Sequence, residues 1–169
     1  MKGLKFKWDE AKTVVRNARL QLTKASLFYF KSGRETFGGD ATPAELHAFR
    51  LQTKRFRYTL ELFRPVYGPT LERMIRSLRR IQQLLGEVND CVATRALVAK
   101  TGDRRSLPVR RVLKLLDQRQ AESTAELGRV WLEFDRAGAA DRWIKYLAAS
   151  RGRATPARRR GAGVVRRKL

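Results

Sequence analysis

The chain has 169 residues, with 38 Lys and Arg against 16 Asp and Glu, and its formal net charge of +22 at pH 7 points to an anionic partner. Its 43% apolar residues supply one buried core, and its length excludes two large domains. A single cysteine, Cys91, and a single histidine, His47, exclude an intramolecular disulfide and a Cys/His zinc site, so a reducing, cytoplasmic setting is expected.

The opening MKGLKFKWDEAK has no apolar stretch behind its basic residues, and no uncharged run is long enough to span a bilayer. A soluble protein without membrane association is expected. Apolar residues recur at three and four up to residue 150, with no period-two run of β-branched residues. The fold class is therefore all-α: an antiparallel bundle of about four long helices plus a short C-terminal helix.

In chain order, the first helix is expected from about Trp8 to Lys31, with Ala11, Val14, Ala18, Leu22, Ala25 and Tyr29 on one face and Gly33, Gly38 and Gly39 marking its end. The second opens with Thr42 as N-cap, Pro43 at the first position and Glu45 at the capping-box position, and runs to about Arg64. The third runs from about Pro69 to Ala99, burying Leu71, Met74, Leu78, Ile81, Leu85, Val88 and Val92, and stops near Gly102. A fourth starts at Ser106 and carries Val112, Leu113, Leu116, Leu127, Val130, Trp131 and Phe134 on its apolar face. A short piece from about Ala140 to Ala149 follows, with Trp143, Ile144 and Leu147. Residues 8–150 form the helical domain, and 151–169, with eight cations and no acid, are expected to be a disordered basic tail.

On the second helix, His47, Arg50, Lys54 and Arg57 fall within an arc of about 80° at 100° per residue. Phe49, Phe56, Leu60 and Phe63 form an apolar face on the opposite side, and Leu51, Tyr58 and Leu62 form a second apolar strip next to the cations. Such a stripe either lines a groove or is an ordinary solvated face. On the third helix Arg76, Arg79, Gln83 and Asp90 share an arc of about 60°, with Gly86 on the same side. Glu61 and Asp90 are the acids of these stripes, placed to orient and neutralise arginines. No glycine-rich phosphate loop, no pair of metal-ligand histidines and no acid cluster suited to magnesium is present. Binding without catalysis is expected, with no cofactor and no metal.

The run His47-x-x-Arg50-x-x-x-Lys54-x-x-Arg57-Tyr58 with Glu61, followed by Leu78-x-x-Ile81-Gln82-x-x-Leu85-Gly86-x-x-Asn89-Asp90, resembles the CHAD family, the conserved histidine α-helical domain. The resemblance spans about Pro43 to Leu97. It implies an all-helical domain whose basic helices surround a channel for inorganic polyphosphate, in several members on polyphosphate granules. Carried onto this sequence, it assigns polyphosphate binding to His47, Arg50, Lys54 and Arg57, with Arg79 from the third helix; Arg76, which shares the arc of Arg79, is a further binding candidate. Tyr58, Glu61, Gly86 and Asp90 become orienting or packing positions. Family members usually hold two such repeats, whereas this chain has one histidine motif, most like the second. Either two chains pair, or one repeat offers an open groove, or the chain is a remnant; a homodimer is the expectation. Nucleic acid is a secondary partner on charge alone, and a scaffold for acidic proteins a further alternative.

Overall fold

The computed structural model describes residues 7–103 and 105–149, so the expected basic tail, 151–169, lies outside the described residues. Among the described residues there are five α-helices and no strand: α1 (Val14–Phe37), α2 (Pro43–Leu62), α3 (Pro69–Thr101), α4 (Leu107–Phe134) and α5 (Ala139–Ala149), with a short 3-10 turn at Arg64–Val66. No helix among them is long and apolar enough to cross a membrane.

The helices pack as an antiparallel bundle in the order α5, α1, α2, α3, α4. Register follows from paired side chains: Tyr29 of α1 reaches Thr53 of α2, His47 and Arg57 of α2 reach Asn89 and Gln82 of α3, and Arg80 and Arg95 of α3 reach Glu126 and Asp117 of α4. Leu22 and Tyr29 of α1, Leu60 of α2, Ile75, Leu78 and Ile81 of α3, Leu127 of α4 and Leu147 of α5 are completely buried together. Around Tyr29 the rings of Phe49, Phe56 and Trp131 stack or meet edge to face at centroid distances of 4.8–6.0 Å. The Tyr29 hydroxyl meets Thr53 Oγ1 at 3.2 Å, and burial pushes its pKa far upward.

Four sequence expectations are corrected. The first helix begins at Val14, not Trp8, because buried Asn17 holds residues 9–12 in a turn: it accepts from the Asp9 N–H at 3.0 Å and donates to the carbonyls of Asp9 and Lys12. Thr13 then caps the helix by accepting from the Arg16 N–H, and Val14 is left half exposed. Gly33 does not end this helix, which runs on to Phe37 with Gly38 as its cap. A Cβ on Gly33 would stand 1.9 Å from Trp131 Cη2, so the missing side chain makes room for the indole.

The second helix has the expected cap, with Thr42 and Glu45 reciprocally bonded and Pro43 in its first turn, but ends at Leu62. The backbone tightens there into the 3-10 turn around Pro65, whose ring cannot continue the ladder. The apolar face read on the fourth helix is buried only at its far end. Ser123, Leu127 and Trp131 are covered, while Val112 is exposed and Leu113 and Leu116 are half-buried. The 33 residues of α3 extend over about 50 Å, past the end of α1 and α2, so α4 has only α3 to cover it there.

Candidate functional site

Because α2 and α3 run antiparallel, their outward faces meet along one line. His47 Nδ1 lies 2.7 Å from Asn89 Oδ1 at one end. Arg50 lies next, beside Gly86, where a Cβ would stand 3.9 Å from Arg50 Nε. Arg57 follows, donating through Nε to Gln82 Oε1 at 2.8 Å and through Nη1 to Glu61 Oε1 at 2.5 Å. Arg79 closes the far end, donating to the same Glu61 oxygen at 3.0 Å. Lys54, exposed, flanks this line on α2. A small apolar cleft of about 230 Å³, with Pro43, Leu46, Leu85 and Val92 on its walls, opens at the His47 end.

Glu61 is the hub that the sequence anticipated. Burial by itself raises its carboxyl, but the hydrogen bonds and charges of Arg79 and Arg57 outweigh this and hold it below the ordinary carboxylate range. Arg64 approaches the same oxygen at 3.7 Å, and Glu72 reaches Arg64 at 3.2 Å and Arg79 at 3.8 Å. Arg57 and Arg79 are thus held rigidly with their charge partly countered.

Arg50 is different. It is half-buried, and its Nε is buried with no hydrogen-bond partner. A buried guanidinium nitrogen without an acceptor costs free energy that a carboxylate or phosphate oxygen would recover. Tyr58 lies half exposed above the stripe, with the Arg57 guanidinium 4.4 Å and the Lys54 ammonium 5.8 Å from its ring centre. Those contacts fix the two cations over the ring face.

Of the residues singled out from the sequence, the structure brings together His47, Arg50, Lys54, Arg57, Tyr58, Glu61, Arg79 and Gly86. Arg76 is exposed and turned about 60° from Arg79 toward the α4 side, where Arg80 already pairs with Glu126. Asp90, read as an orienting acid, is exposed and holds no arginine; the orienting groups are Glu61, Gln82 and Asn89. Gln82 and Asn89 were visible as motif residues, but their role depends on the α2–α3 register. Glu72 and Arg64 carried no signal, because they join the network only through the turn between the two helices. Among the described residues no three His, Cys, Asp or Glu side chains stand where they could hold a metal ion.

A family model described as CHAD domain matches residues 5–99, more than half of the chain, covering α1, α2 and nearly all of α3 with the whole stripe. No curated protein and no solved structure gives a significant match to the chain.

Proposed function

The chain belongs to the CHAD-domain family, and on that premise we propose that it binds inorganic polyphosphate along the α2–α3 face without transforming it. CHAD domains are associated with polyphosphate and triphosphate binding in general. The observation that carries the reading for this chain is Arg50 Nε, a buried donor without an acceptor at the centre of a line of cations.

In this reading successive phosphates lie along the line from His47 to Arg79. Arg50 donates to phosphate oxygens from a half-buried position, where the lower local dielectric strengthens each contact. Lys54 adds a point charge, and Arg57 and Arg79, held by Gln82 and Glu61, present the remaining guanidinium N–H groups in a fixed orientation. Because Gly86 has no side chain, α3 leaves space beside Arg50. Arg76 extends the cationic surface at the Arg79 end. Capture without cleavage of the phosphoanhydride is the activity proposed. Localisation on polyphosphate granules belongs to the same proposal.

A net charge of +22 also favours duplex nucleic acid, so the test is a comparison. Labelled polyphosphate and duplex DNA are titrated at matched phosphate and physiological salt, with the full chain and with the chain ending at residue 150. Tighter binding of polyphosphate by both chains is expected. Equal binding of the two polymers, or binding lost with 151–169, would overturn the reading.

A further inference from the structure

The seam between α2 and α3 does not stop at His47. Beyond that residue it continues into the cleft of about 230 Å³, walled by Pro43 and Leu46 of α2 and by Leu85, Val88 and Val92 of α3. An inorganic anion gains nothing there, because apolar walls offer no donor to replace the water around a phosphate oxygen. A flat apolar group does gain. An apolar cavity of about 150 Å³ takes up a benzene ring, so this cleft has room for a fused two-ring heterocycle.

His47 and Asn89 form the polar margin of the cleft. An amide oxygen only accepts, so in their 2.7 Å contact His47 Nδ1 carries the proton and donates to Asn89 Oδ1. That bond fixes the amide, and it leaves Asn89 Nδ2 as a donor and the second lone pair of Oδ1 as an acceptor. A donor and an acceptor side by side are what an asparagine uses to read N7 and the 6-amino group of adenine. Guanine presents acceptors at both positions, and Oδ1 has nothing to give the second.

We propose that the α2–α3 face takes a phosphate chain esterified to adenosine, with the base in the cleft, Asn89 on its edge and the phosphates on Arg50 and Lys54. The inference rests on the polyphosphate-binding reading, whose cationic line it uses. Lengths along the helix agree with it. At 1.5 Å per residue Arg50 lies about 4.5 Å and Lys54 about 10 Å beyond His47, so a ribose beside His47 passes a triphosphate directly to both. The first cation it meets is Arg50, whose buried Nε is without an acceptor. The base then adds apolar burial and two hydrogen bonds to what charge alone supplies.

The test is calorimetric titration of the full chain at physiological salt, without divalent cations, using adenosine triphosphate, guanosine triphosphate and inorganic tripolyphosphate. On charge alone tripolyphosphate, with two ionisable ends, binds at least as tightly as either nucleotide. The native chain is instead expected to bind adenosine triphosphate about tenfold more tightly than tripolyphosphate, and about fivefold or more over guanosine triphosphate. Two variants fill the cleft without changing charge: Val92→Phe, at a half-buried wall position, and Ala44→Leu, at an exposed position on its rim. Each is expected to abolish the preference for the adenine nucleotide and to bind tripolyphosphate within about twofold of the native chain. Equal affinity of the native chain for adenosine triphosphate and tripolyphosphate would overturn the inference and leave the binding reading intact. Equal affinity for the two nucleotides would overturn it too, since Asn89 then reads no base, and so would a preference that survives both variants. If none of the three ligands binds, the binding reading fails, and this inference with it.

Discussion

Arg50 and Arg55 sit five residues apart on α2, one with a buried nitrogen facing α3 and the other exposed. A hydrogen bond to a charged group is worth about 1.5–3 kcal/mol, whereas an exposed charge on a face turned away from the anion contributes little. Arg50→Ala should lower polyphosphate affinity about tenfold or more, and Arg55→Ala less than about twofold, in the same titration. Arg50→Ala should leave the melting temperature unchanged or higher, because it removes an unpaired buried donor. Equal affinity losses for the two variants would place the anion elsewhere. Glu61 gives a prediction in pH. Its carboxyl lies below the ordinary range in the folded chain, so the ionised form stabilises the fold. That contribution is complete above the unfolded-state value, about 4.3, and disappears as pH falls through the folded-state value. Melting curves from about pH 5 downward should therefore fall more steeply for the native chain than for Glu61→Gln, which has no such proton to take up.

Two glycines inside helices separate packing from function at the scale of the element. Gly33 of α1 faces Trp131, which is itself fixed between Phe37 and Phe49 at ring-centre distances of 5.2 and 5.4 Å. Gly33→Ala should destabilise by about 1–3 kcal/mol, the usual range for forcing atoms into a filled core, measurable by chemical denaturation. Gly86 of α3 meets only Arg50 Nε, at ordinary contact distance. Gly86→Ala should stabilise by up to about 1 kcal/mol through helix propensity. It should also weaken polyphosphate binding, because the new methyl stands where the anion approaches Arg50. Unchanged affinity would mean the space beside Arg50 is not used. The element bounds show the same division. Thr42, Pro43 and Glu45 fix the start of α2 through local bonds, so that start was legible. The start of α1 depends on Asn17 bonding the turn at residues 9–12, and the glycine inside it, Gly33, on an indole from α4.

For the molecule as a whole, charge sets how binding responds to salt. If the line from His47 to Arg79 neutralises several phosphates, the logarithm of affinity should fall linearly with the logarithm of salt concentration, the slope counting the contacts. Removing Lys54 should shallow that slope by about one contact, whereas removing Arg55 should leave it unchanged. The amino-acid sequence alone determined the all-helical class, the cap of α2, the cationic stripe of that helix and the family to which the motif belongs. These are properties of neighbours within a few turns, and helical periodicity expresses them directly. Only the tertiary structure decided that Glu61 holds both Arg57 and Arg79 while Asp90 holds neither. It alone leaves Arg50 Nε without an acceptor and the first half of α4 outside the core. Each of these depends on which turn of one helix lies against which turn of the next, a register set by the packing of both and written in neither alone.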